Sequence, residues 1–194
     1  MSFYRIFSKI YERAAKKMCL DCTDFIEKGS KMLDLGCGSG IVGKEFQDFF
    51  QAEMIGVDIQ DTRVVNLPFK IIDGENLPFN DNEFDIALIN YVLHHARNPK
   101  RLIEEAKRVS KKIIIYENLP EGIFAKFFCQ IHLITFNLFF QRRNPTKYYF
   151  KTEREWEEIF KEMGIRVVFK KRVTHSPLDK IKFGKRILFI LEKV

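Results

Sequence analysis

A chain of 194 residues, 46% hydrophobic and 30% charged, is long enough to bury one core of ordinary size. Four cysteines in that length exclude a disulfide-stapled scaffold. The net charge of +7 would suit an anionic partner such as nucleic acid or a lipid headgroup surface, yet modest basicity is common among proteins that bind neither.

Residues 3 to 28 carry a helical pattern, with Phe3, Phe7, Ile10, Ala14 and Met18 on one stripe and Gly29 ending the run. This amphipathic start does not read as a secretory leader, so a reducing cytosol, and hence a cytoplasmic protein, is expected. Cys19 and Cys22 form a CxxC without the second ligand pair that a zinc site needs, and Cys37 and Cys129 stand alone. No metal is expected. Strand-like runs follow at Met32–Leu35, Met54–Val57, Phe69–Ile72, Phe84–Ile89 and Ile113–Tyr116. Between them lie a helix bearing Ile41, Val42, Glu45, Phe46 and Phe49, and a second capped by Asn98 with Pro99 at its first position. Alternating strands and helices predict an α/β fold built on a parallel sheet.

After Glu117 the character changes. Residues 123–141 place Phe124, Phe127, Phe128, Ile131, Ile134 and Leu138 on one helical face and Lys126, Gln130, Asn137 and Gln141 on another. Gln130, His132, Thr135 and Asn137 interrupt the segment, and a span under ~20 residues is short for crossing a bilayer. Core packing or a cover over an apolar substrate is the expectation. Peripheral membrane contact is the weaker one, suggested by Arg142, Arg143, Lys147 and Lys151. Thr152 and Glu155 then form a capping box for a helix with Trp156, Ile159, Phe160 and Met163 on its apolar face, stopped by Gly164. Two last strands are expected at Ile165–Phe169 and Arg186–Leu191.

The chemistry gathers around KMLDLGCGSGIVG, residues 31–43, where an apolar strand runs into Gly36, Gly38 and Gly40 and a helix follows. Glycine permits positive φ and lets a ligand approach bare backbone, so this unit suits a nucleotide-like cofactor. The five strands end on Gly36, Asp58, Asp73, Asn90 and Glu117, which would line one crevice beyond their carboxyl ends. Asp58 stands where an acid can accept from both ribose hydroxyls, in an NAD site and an S-adenosylmethionine site alike. Two features favour the second: Ile41 fills the place of a third fingerprint glycine, and Asp34 would repel a pyrophosphate but suit the ammonium of a methionine moiety.

The stretches LDLGCGSG at 33–40, GVDI at 56–59, DGENLPFNDNEFDIALINYVLHH at 73–95 and YYFKTEREWEEIFKEMGI at 148–165 resemble class I S-adenosylmethionine-dependent methyltransferases of the ubiquinone/menaquinone-methylase-like group. The resemblance implies a doubly wound Rossmann-like sheet, mostly parallel with a C-terminal antiparallel strand and helices on both faces. It implies one domain over 1–194: a helical segment at 1–29, a cofactor core at 30–117, a substrate cover at 118–150 and a closing helix with strands at 151–194. It places Gly36, Cys37 and Gly38 against the methionine part of the cofactor, Asp58 on the ribose, Asp73 on the adenine amino group with Gly74 and Glu75 supplying nearby backbone, and Asn90 beneath the sulfonium; Asp34 and Ile59 are also expected among the cofactor-binding residues. Asp85 is expected to be a structural acceptor.

Methyl transfer from a sulfonium is an in-line displacement, so positioning and exclusion of water supply most of the rate. A general base is needed only where the acceptor arrives protonated. His94 and His95 stand at the mouth of the crevice; His95 is the candidate for that task, with Tyr91, Tyr116, Glu117 and His132 behind it. A small, apolar or lipid-like acceptor is the first reading. An RNA or protein methyltransferase is the alternative, weakened by NYVL at 90–93 where amino-directed nucleic-acid methylases carry an NPPY-type tetrapeptide. A cofactor-binding protein without turnover is a third, and an NAD-dependent oxidoreductase the weakest.

Overall fold

The computed structural model describes residues 8–121, 150–175 and 185–194. The Phe-rich run at 123–141, Cys129, His132 and residues 3–7 of the N-terminal run lie outside the described residues.

Four helices and seven strands alternate along the described chain. Helix α1 spans Ser8–Asp21, strand β1 Lys31–Leu35, α2 Ile41–Phe50, β2 Glu53–Asp58, β3 Phe69–Ile71 and β4 Phe84–Asn90. Helix α3 (Pro99–Val109), β5 (Ser110–Leu119), α4 (Glu153–Glu162), β6 (Ile165–Val173) and β7 (Lys185–Lys193) follow. The strands form one sheet in the order β3-β2-β1-β4-β5-β7-β6. β1 to β5 are parallel, and β7 runs antiparallel between β5 and β6. Strands from both ends of the chain therefore share one sheet, the mostly parallel, doubly wound arrangement expected.

Period-two alternation divides the core into two layers. Leu33, Leu35, Ala87, Ile89, Ile113, Ile115 and Phe189 face α3 and α4, packing with Leu102, Ile103, Trp156 and Phe160. Met32, Met54, Ile86, Leu88, Ile114 and Tyr116 face the other way, against Met18 and Cys19 of α1 and Phe46 and Phe50 of α2. Both expected caps form: Asn98 accepts the Arg101 N–H at 3.1 Å, and Thr152 and Glu155 make the reciprocal capping box.

Three expectations need correction. The N-terminal helix stops at Asp21, well before Gly29, because Thr23 Oγ1 donates to the Leu20 carbonyl and turns the chain so that Cys22 and Ile26 enter the core. Its buried stripe is Ala15, Met18 and Cys19, whereas Ile10 is 51% exposed. Phe50, rather than Phe49, is the buried aromatic at the end of α2. β5 is longer than its apolar run, since β7 pairs with it out to Leu119, so Glu117 lies inside a strand and not at its end.

Candidate active site

Register fixes which side chains share a face at the carboxyl ends. Asp34 of β1 pairs with Gly56 of β2 and Leu88 of β4, so Asp34, Asp58 and Asn90 all point toward the α1 and α2 layer. Between them the loop 36–40 turns on three positive-φ glycines. Gly36, at φ +76, has no room for a side chain: a Cβ would come within 2.5 Å of Val92. The Gly36 and Cys37 N–H groups donate to the Val57 carbonyl at 2.8 and 3.1 Å, which seats the loop on β2. Cys37 is buried over Gly56, and burial pushes its thiol up, so it packs and does not react.

Asp58 accepts the Gly38 N–H at 2.9 Å and the Ile59 N–H at 2.7 Å. Burial raises its pKa and those donors oppose the rise. The Gln60 N–H is a third backbone donor to it, and a carboxylate offers about four lone-pair sites, so acceptor capacity remains for a ligand hydroxyl. Asp73 is exposed and accepts from the Glu75 and Asn76 N–H groups and the Asn76 amide, which hold its carboxyl at about 2. That is the geometry of an Asx-type turn, and it orders residues 73–76. Ile59, 52% exposed, reaches to 3.0 Å from where a Cβ on Gly74 would stand, so the β2 end and the 73–75 turn adjoin.

Asp34 is 1% exposed, and its carboxyl is pushed up to about 7 by burial, then by the Asp58 charge, against the Gly43 N–H. Its Oδ2 and the Asn90 Oδ1 are buried with no hydrogen-bond partner among the described residues. Two acceptor atoms without donors, on one face beside a bare glycine loop, fit a ligand carrying a cationic N–H group. Gly43, in the first turn of α2, makes room for this carboxyl: a Cβ there would lie 2.6 Å from Asp34 Oδ2.

The histidines sit on the opposite face. Glu117 Oε1 accepts the Leu93 N–H at 2.9 Å and Oε2 lies 2.7 Å from His94 Nδ1, with both side chains fully buried. That buried pair fixes the 91–95 turn. His95 is half-buried at the mouth, its ring 4.0 Å from that of His94, and Phe150 stacks on His94 at 4.8 Å. Tyr116 is buried, donating to the Met18 carbonyl at 3.0 Å. Asp85 accepts from the Lys31 N–H and Lys111 at the amino ends of the strands, the structural role expected of it.

A glycine loop after β1, an acid closing β2 and a polar β4 end, all beyond the carboxyl edge of a 3-2-1-4-5-7-6 sheet, define a cofactor-binding α/β domain of the doubly wound class. The family described as "Methyltransferase domain" matches residues 33–113. An uncharacterized protein of Methanocaldococcus jannaschii is 33% identical over 168 residues, covering 80% of this chain and 74% of that one. Demethylmenaquinone methyltransferase of Paenarthrobacter aurescens is 29% identical over 106 residues, 51% of this chain and 41% of the relative. A solved S-adenosylmethionine-dependent methyltransferase from Methanosarcina mazei has the same fold, with a TM-score of 0.67 at 18% identity over 90% of this chain and 97% of that one. The chain belongs to the class I S-adenosylmethionine-dependent methyltransferases. Its cofactor is S-adenosylmethionine. No helix among the described residues is long and apolar enough to cross a membrane.

Proposed function

We propose that this enzyme transfers the methyl group to a small, apolar acceptor lying over the carboxyl ends of β4 and β5. The observation that carries the reading is the stacking of Phe150 on His94. Phe150 enters α4 through the Thr152 cap, so its ring is held beside His94 by a structured turn. The relative named for demethylmenaquinone supports an apolar ring as the acceptor class.

Bound S-adenosylmethionine supplies an electrophilic methyl group on a sulfonium. Asp34 and Asn90 would hold the methionine end through their buried oxygens, Asp58 the ribose, and Ile59 with the 73–75 turn the adenine. His95 and Phe150, backed by the buried His94, would form an aromatic wall that excludes water and holds the acceptor in line.

A polymer fits less well. Lys170 is paired with Glu153 and Glu157, Lys171 with Asp21, and Arg172 with Glu121 and Glu153. A phosphate backbone would have to displace those acids. Incubation with methyl-labelled S-adenosylmethionine and fractionated cell extract tests the proposal. Label in the solvent-extractable fraction supports it; label only in RNA or protein refutes it.

A further inference from the structure

Tyr91 leaves β4 at φ +57, a left-handed backbone that a bulky residue rarely adopts, and its N–H donates to the Tyr116 carbonyl at 2.9 Å. Such an outlier at a ligand crevice points to a side chain that must be aimed. The Tyr91 hydroxyl lies 3.5 Å from His175 Nδ1, and His175 Nε2 lies 3.0 Å from Asp21 Oδ2. Because a carboxylate only accepts, Nε2 of the neutral ring carries the hydrogen and Nδ1 accepts from the tyrosine.

The three residues come from the end of α1, the end of β4 and the stretch beyond β6. His175 is 4% exposed, whereas Tyr91 is half-buried. Charged and titratable groups from several described elements face them. Lys171 lies 2.6 Å from Asp21 Oδ1, Lys17 donates to the His175 carbonyl at 3.2 Å, and Arg186 stands 5.1 Å over the Tyr91 ring. The Tyr116 ring meets His175 edge-on at 5.5 Å, with Cys22 beyond it.

We propose that Asp21, His175 and Tyr91 form a proton relay serving the acceptor, and that the acceptor is methylated on a hydroxyl oxygen that arrives protonated. This rests on the small-acceptor reading and narrows it. The acceptor O–H proton passes to the Tyr91 oxygen as the proton of Tyr91 passes to His175 Nδ1. The imidazolium so formed faces the Asp21 carboxylate, and the acceptor is left as an oxyanion. The relay performs the task expected of His95, from the opposite face of the sheet.

The test uses the full chain saturated with S-adenosylhomocysteine and titrated near neutral pH with 1-naphthol and with 1-methoxynaphthalene, which has no proton to give. Binding of naphthol to the unaltered protein develops the naphtholate absorbance band. Tyr91→Phe, which keeps the ring and the fold, abolishes the band while still binding methoxynaphthalene; His175→Gln diminishes it by about tenfold, the weight of one charge-assisted hydrogen bond. A role confined to pinning β6 against α1 would leave the band intact in Tyr91→Phe, and that result overturns the relay. Binding of both probes without a band also overturns the relay and leaves the apolar acceptor standing. Failure of both to bind overturns the two together.

Discussion

Asp34 joins stability to cofactor binding, and Asp34→Asn separates them. Moving a carboxyl from its ordinary 3.8 to about 7 corresponds to about 4 kcal/mol of unfavourable ionisation. The cause is burial first and the Asp58 charge second. A raised carboxyl pKa means that the folded state holds the proton more tightly than the unfolded chain. Its contribution is therefore neutral below about pH 4, turns against the fold as pH climbs from about 4 to 7, and levels off above. The isosteric amide cannot ionise, so Asp34→Asn and the unaltered protein should be alike near pH 4. By pH 8 the variant should be more stable by about 1 to 4 kcal/mol, the lower figure allowing for relaxation around the charge. Urea unfolding of both proteins without cofactor across this range measures the difference. Carboxylates with lowered pKa values, such as Asp73, occur in both proteins and cancel. A ligand ammonium beside Asp34 favours the charged form, so S-adenosylhomocysteine binding should release a proton below pH 7. Affinity should then fall by up to about tenfold per pH unit on the acid side. Calorimetry in buffers of different ionisation enthalpy reads that proton, and Asp34→Asn should bind weakly without releasing it. Parallel pH–stability curves for the two proteins would refute the account of Asp34.

Asp58→Ala should weaken S-adenosylhomocysteine binding by tenfold or more, the loss of at least one charge-assisted hydrogen bond, while NAD binds neither protein measurably. Gly36→Ala places a Cβ 2.5 Å from Val92 at φ +76 and should lower the melting temperature and abolish binding. Adding Val92→Ala should restore only the part of the stability lost to the clash. Thr152→Ala should cost about 1 kcal/mol in chemical denaturation with no change in cofactor affinity, since its box serves the α4 N-terminus and not the glycine loop or its acids.

The cofactor half was legible because its signals are local. Gly36, Gly38 and Asp58 belong to single strand-loop units, and short apolar runs alternating with helical patterns mark the parallel strands. Strand ends blurred where tertiary pairing decided them: β7 extends β5 past Tyr116 and draws Glu117 into its interior. Longer links left no trace in the pattern. Asp21 and His175 are 154 residues apart, and nothing local to either marks a partner. Tyr91 reads as one more apolar position after β4 until its backbone is seen at positive φ. Gly43 carries a local signal of another kind, a glycine in the first turn of an amphipathic helix, whose meaning comes from Asp34 lying beneath it.

That contrast bears on how acceptor choice is encoded. The family match covers residues 33–113 and so includes the glycine loop, Asp58, the 73–75 turn and Asn90. Glu117, Phe150, His175 and Asp21 all fall outside it. The groups flanking β4 on both faces are thus supplied by α1, the interior of β5, Phe150 and the stretch after β6. These elements dock onto the cofactor unit without contributing to its loop. Substitutions among them can change what reaches the methyl group while leaving the glycine loop and its acids in place. For this reason acceptor specificity should follow Phe150 and His175, with Tyr91 as their link inside the matched region, and cofactor affinity should follow Asp34 and Asp58, with each set nearly silent in the other assay.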